Sequence, residues 1–354
     1  MFQRLAVATG LLLLLTGAPA RAQVLVYEVF GAFLDSLREQ AGIPGLAAAI
    51  VDTGGITWER AYGAQDIARF ASARTDTPFH AGGLTQTITA AMALSCEEQR
   101  RLSLDDTLAK FGFDGAEPDA SLRQLLTHTS GPSGNLTYAH RPERLAPLWP
   151  ILRTCTVDSY RETFANLLAR LAMNDSVPGA NIIHVVPPEE GVPFPEDVER
   201  YTAVLQRRAT PYSVDGRGRA TVSRYPDAAG VLTPSNGLIT TVRDLAKFDV
   251  ALKQGLLVAP ATLAAAWSPP AGNSGLPLPH GIGWFVQQHN GEKVVWQFGM
   301  TENASSSLMI TVPARGITLI LMANSDGLVK LYSPTNGDVT LSPFARLFLN
   351  MFIR

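Results

Sequence analysis

The sequence predicts an α+β fold in which an antiparallel sheet, built from both ends of the chain, is flanked by helices and interrupted by a mostly helical inserted subdomain. Three observations carry this expectation. A strand-turn-strand pattern follows the first helical segment, four strand-like segments in a row precede a closing helix, and the Pro-rich middle has helical patches with little strand character.

The chain opens on Arg4 ahead of an apolar run from Leu5 to Leu15, followed by Ala20-Arg21-Ala22 as a small-residue cleavage signature. Residues 1–22 therefore read as a secretory signal peptide with cleavage before Gln23, because the run falls short of the ~20 apolar residues that a bilayer span needs. The mature protein is expected in the periplasm or secreted, without a stable membrane span. Val24 to Ala41 places Val29, Phe30, Phe33, Leu34 and Leu37 at helical spacing. The segments GLAAAIVD and ITWERAYG flank Thr53-Gly54-Gly55, where glycine permits the tight reversal of a β-hairpin.

Leu84 to Arg101 is rich in Ala and Leu and free of Pro, so it predicts a buried helix with Gly82-Gly83 before its first turn. Helical patches follow at Leu122–Leu126, Pro142–Cys155 and Tyr160–Met173. Beyond Asn236-Gly237 come a helix at Val242–Lys253, strands at Gly281–Gln288, Lys293–Gln297, Ser305–Val312 and Ile317–Asn324, and a final helix at Pro343–Ile353. These assign residues 23–112 and 230–354 to a discontinuous sheet domain and 113–229 to the insert. Cys96 and Cys155 either pair in an oxidising compartment or stay as two buried thiols.

Composition excludes several function classes. With 354 residues, 46% hydrophobic, and a formal net charge of -2, the chain can bury a large core and has no basic excess for nucleic acid. The six histidines form no H-x-x-x-H or H-E-x-x-H pair, which leaves a zinc hydrolase without ligands at workable spacing. G-x-S-x-G is absent, as is the G-x-x-x-x-G-K-[ST] phosphate loop, so neither an α/β-hydrolase nor a nucleotide or other cofactor is expected.

The order of landmarks PFHAGGLTQTITAAMAL, RLSLDDTLAKF, LRQLLTHTSG, GLITTVRDLAKF, GIGWFV and LILMANSDG resembles the serine β-lactamase and penicillin-binding-protein superfamily. Within it the resemblance is to the branch of class C β-lactamases, D-alanyl-D-alanine carboxypeptidases and esterases, over nearly all of the mature chain. That resemblance implies an S-x-x-K motif at the start of the buried helix, with the nucleophile and its proton acceptor one turn apart. Here Gly83 stands at the Ser position and Gln86 at the Lys position. The Y-x-N motif matches Tyr138-Ala139-His140, and the K-T-G or H-x-G motif matches Gln297-Phe298-Gly299, a neutral amide where the family has a cation or imidazole.

The expectation is therefore a homologue that has lost acyl-transfer chemistry, with the alternative of an active serine-type hydrolase using another nucleophile. The resemblance further implies an oxyanion-type pair of backbone N–H donors, which here belong to Gly83 and Met300 and do not depend on the side chains. Gly83, Tyr138, Gly299 and Met300 are accordingly the candidate ligand-binding set for a small-molecule, peptide, ester or peptidoglycan-like ligand. Thr85 and Thr87 lie near Gly83, but on a helix neither hydroxyl shares its direction. His128, with Ser130 nearby, reads as structural.

Overall fold

The computed structural model describes residues 18–132, 134–156, 158–186 and 191–353. Residues 1–17, which carry most of the expected export signal, lie outside them. Helix α1 (Ala18–Gln40) begins ahead of the predicted start at Val24 and spans the expected cleavage point. No helix among the described residues is long and apolar enough to cross a membrane.

The predicted hairpin forms: β1 (Gly45–Val51) pairs antiparallel with β2 (Ile56–Asp66), and the short β3 (Ala71–Ser72) extends that edge. Strand β4 (Phe79–His80) leads into a single 3-10 turn, Gly82–Leu84, and then helix α2 (Thr85–Glu98). In the insert, α3 (Leu122–Leu126) carries a Ser121 and Gln124 capping box, and the pair β5 (Thr129–Ser130) and β6 (Thr137–Tyr138) follows. The expected single patch at 142–155 is instead three short pieces, a 3-10 turn at Pro142–Leu145, α4 (Leu148–Ile151) and a second 3-10 turn at Leu152–Thr154. Pro147 and Pro150 remove amide donors there, so a continuous helix is disfavoured.

Helix α5 (Tyr160–Arg170), strand β7 (Val177–Pro178), helix α6 (Pro195–Gln206), the hairpin β8 (Tyr212–Val214) and β9 (Ala220–Val222), and strand β10 (Leu238–Thr240) complete this region. After them come α7 (Val242–Lys253) and α8 (Pro260–Ala266). Strands β11 (Phe285–His289), β12 (Glu292–Thr301), β13 (Ser305–Val312) and β14 (Ile317–Ala323) precede the last helix, α9 (Pro343–Phe352). The first of these strands starts at Phe285 rather than Gly281, because residues 281–284 turn back on themselves through the Gly281 N–H to Trp284 carbonyl bond.

One sheet joins both chain ends in the order β11-β12-β13-β14-β1-β2-β3, with β14 antiparallel to β1 and Leu46 opposite Ala323. Both faces are covered, so β1 is buried at every position. Ala47, Ala49, Val295, Met309 and Met322 face α2 and α7, which contribute Ile88, Leu94, Leu245 and Phe248. The alternate residues Leu46, Ala48, Ile50, Trp296 and Leu308 face α1 and α9, which contribute Phe30, Leu34, Phe344 and Phe348. Cys96 and Cys155 form a disulfide that ties the end of α2 to the insert.

Candidate functional site

The candidate site lies where the turn before α2 meets β12. Gly82 takes a left-handed φ of 53°, and a Cβ there would come within 2.9 Å of the Met300 amide nitrogen. A Cβ on Gly83 would stand 2.5 Å from the Phe298 carbonyl oxygen, and one on Gly299 would fall on the Ala81 carbonyl oxygen. The Ser307 hydroxyl donates to that same Ala81 carbonyl at 2.6 Å and fixes the turn against the sheet. Gly83, Gly299 and Met300 are thus brought together by backbone packing that leaves no room for a side chain at position 83.

Gln86 is fully enclosed, and its Oε1 lies 3.0 Å from His128 Nε2. The Arg141 amide donates to His128 Nδ1 at 3.2 Å, so Nδ1 is the acceptor and Nε2 carries the proton given to Gln86. Gln297 on β12 donates from Nε2 to the Gly283 carbonyl at 3.2 Å and faces His280 Nε2 at 3.4 Å. His280 Nδ1 donates to the Gly281 carbonyl at 2.6 Å, which leaves its Nε2 as an acceptor. The two glutamines stand where the resemblance places Lys and a cation; Gln86 pairs with the neutral imidazole of His128, and Gln297 with that of His280 and with backbone.

The imidazoles of His128, His140 and His280 pack together, with ring centroids 4.9 Å apart for His128 and His140 and 4.7 Å for His128 and His280. Burial holds the His280 pKa down at about 3. His128 is pushed lower still by burial, the adjoining imidazoles and Arg144, and burial also lowers His140. At neutral pH the cluster carries no positive charge. Among the described residues no group of three or more His, Cys, Asp or Glu side chains is disposed to hold a metal ion.

Tyr138, expected as the family's proton-shuttling phenol, is directed elsewhere. Its hydroxyl donates to the Thr335 carbonyl at 3.2 Å while its ring stacks on His280. Burial raises its pKa, so still less of it is ionised at neutral pH than of a free phenol. Met300 is 44% exposed. Thr85 and Thr87 give their hydroxyl protons to the carbonyls of Gly82 and Leu84, each at 2.7 Å, and the Ser130 hydroxyl pairs with Thr137. His140 entered the sequence reading only as the last residue of the Tyr138-Ala139-His140 match, and His280 carried no sequence signal of its own. They meet only because β6 and the turn before β11 converge on His128.

A family model described as Beta-lactamase matches residues 30–337. Among curated proteins, Protein flp of Staphylococcus aureus (strain MW2) is 23% identical over 331 residues, covering 85% of this chain and 64% of that protein. ML-236A carboxylate methylbutanoyltransferase mlcH of Penicillium citrinum is 29% identical over 197 residues, covering 47% of this chain and 44% of that protein. The chain thus spans less than two thirds of the length of either relative. Among solved structures, the octameric penicillin-binding protein homologue from Pyrococcus abyssi superposes with a TM-score of 0.71 at 19% identity, covering 91% of this chain and 77% of its own. The D-alanine carboxypeptidase AmpC from Burkholderia cenocepacia gives 0.67 at 18% identity, covering 92% and 99%.

Proposed function

The chain belongs to the beta-lactamase family, and from that premise we propose that this member has lost the family's acyl-transfer chemistry and acts by binding a peptide, ester or cell-wall-like ligand. The observation that carries this reading is the state of position 83. The family-equivalent nucleophile is a glycine, and the Phe298 carbonyl stands 2.5 Å from where its Cβ would be. Gln86 and Gln297 add to it, since an amide neither takes nor gives a proton in this pH range.

The structural relatives, a D-alanine carboxypeptidase and a penicillin-binding protein homologue, support a ligand drawn from acylated amino acids or peptides. The Gly83 and Met300 amides are the donors proposed for its carbonyl group, with Tyr138 and Gly299 at the margin. The Cys96–Cys155 disulfide supports export to an oxidising compartment.

Intact-mass spectrometry after incubation with a fluorophosphonate or a labelled penicillin tests the reading. No adduct is expected on the protein. A stoichiometric adduct would overturn the loss of chemistry, favour the active serine-type hydrolase, and locate its nucleophile.

A further inference from the structure

Helix α7 closes on Gly255, whose left-handed φ of 72° reverses the chain. The Gly255 amide donates to the Leu252 carbonyl at 3.1 Å and the Leu256 amide to the Ala251 carbonyl at 2.9 Å. That pair of bonds brings the apolar residue after the glycine back beside the helix. Leu256 accordingly joins Ala251 in the lining of an open cavity of about 590 Å³, where it stays 69% exposed. Helix α5 closes in the same way at Ala172 (φ 53°), with the Ala172 amide on the Ala169 carbonyl and the Met173 amide on that of Leu168, each at 2.9 Å. This closure sets Arg170 and Leu171 in the same lining. Ala246 and Val250, one turn apart on α7, and Ile56 at the start of β2, 38% exposed, complete its apolar surface.

Small-molecule sites have this size and character, at about 300–1,000 Å³ with mostly apolar walls and few polar groups. The charges here are of one sign. Arg170, Arg243 and Lys247 line the cavity, and no described Asp or Glu does. Two of these cations are already engaged. Arg243 is held by the Glu59 carboxylate. Lys247 pairs with Asp244 at 2.8 Å and donates to the Ala172 carbonyl, at the negative end of α5. The Arg170 side chain has no hydrogen bond or ion pair among the described residues. A guanidinium keeps its charge at neutral pH and only donates, so an apolar groove with one unengaged arginine selects an anion with an aliphatic body.

We propose that this groove binds a single-chain aliphatic carboxylate, its chain against Ala246, Val250 and Leu256 and its head group on Arg170. None of the lining residues belongs to the candidate site around Gly83, so this is a second site with a ligand of its own. It stands whether or not the first site is catalytic.

Calorimetric titration of the full chain with hexanoate, octanoate and decanoate tests the site, with 1-octanol as the uncharged control. One molecule per chain is expected, tightening about fourfold with each added CH₂. Octanoate should bind about tenfold more tightly than octanol, and Arg170→Gln should remove that advantage while leaving octanol unaffected. Leu256→Gln should weaken both ligands several-fold. Both substituted side chains are exposed, so neither change disturbs the core. Octanoate should also raise the Tm of the parent more than that of Arg170→Gln. Equal binding of octanoate and octanol, affinity independent of chain length, several molecules per chain, or indifference of octanoate to Arg170→Gln would each overturn the site.

Discussion

At the scale of single residues, the proposed replacement of a nucleophile by glycine at position 83 is more than the loss of a hydroxyl. Once position 83 has no Cβ, the strand carrying Phe298 can close onto the turn, and the space a serine would need is taken by a carbonyl oxygen. Gly83→Ala and Gly83→Ser are therefore expected to destabilise the fold by about 1–3 kcal/mol through overpacking, read as a lowered urea midpoint. An unchanged midpoint would mean that the strand yields freely. The same crowding predicts that Gly83→Ser/Gln86→Lys/Gln297→His gives less turnover on an activated ester than the residue identities alone suggest.

The buried histidines supply a pH prediction at the same scale. His80, His128, His140 and His280 all have folded pKa values below the unfolded value of about 6.5, chiefly through burial. The unfolded chain binds more protons than the folded one below that pH, so their contribution is complete above it and is lost as pH falls, down to about 3 for His80 and His280. Each contributes a slope of at most about 1.4 kcal/mol per pH unit. Urea midpoints should fall between pH 7.5 and pH 5, and His280→Gln should flatten the decline. A flat profile in the parent would refute the buried-neutral assignment.

At the scale of elements, the helices that frame the site are tied to the sheet by buried polar links as well as apolar contact. Lys253 and Asp249 on α7 pair at 2.6 Å, with both side chains under a tenth exposed, and Asp249 also accepts from Thr318 on β14 at 2.9 Å. Asp249→Ala leaves Lys253 buried without its carboxylate, which costs about 3–5 kcal/mol. Thermal unfolding should show a large drop in Tm for Asp249→Ala and a much smaller one when Lys253→Met is added. The sequence made α7 and β14 legible through their periodicity, but nothing in it joined Asp249 to Thr318, 69 residues apart.

At the scale of the whole molecule, the Cys96–Cys155 disulfide closes a loop of 59 residues between α2 and the insert. The chain-entropy relation gives about 4 kcal/mol for a loop of that length. Reduction under non-denaturing conditions should lower Tm by several degrees. If Tm is the same with and without reductant, the bridge does not constrain the unfolded chain as described.

The amino-acid order by itself determined the α+β class, the hairpin, the four closing strands and the terminal helices, because period-2 and period-3.6 apolar patterns are local properties. It also carries the resemblance from which Gly83, Gln86 and Gln297 are proposed to stand at the positions of the family's reactive groups. Pro147 and Pro150 were legible too, although their breaking of the expected helical patch at 142–155 emerged only in the structure. Tertiary structure alone decided the pairing of the two cysteines, the turning of the Tyr138 hydroxyl to Thr335, and the meeting of His128 with Gln86 and of His80 with Arg208. Those contacts join residues from 42 to 197 positions apart. Their geometry is set by how helices and strands pack against one another, and no local pattern of side chains encodes it.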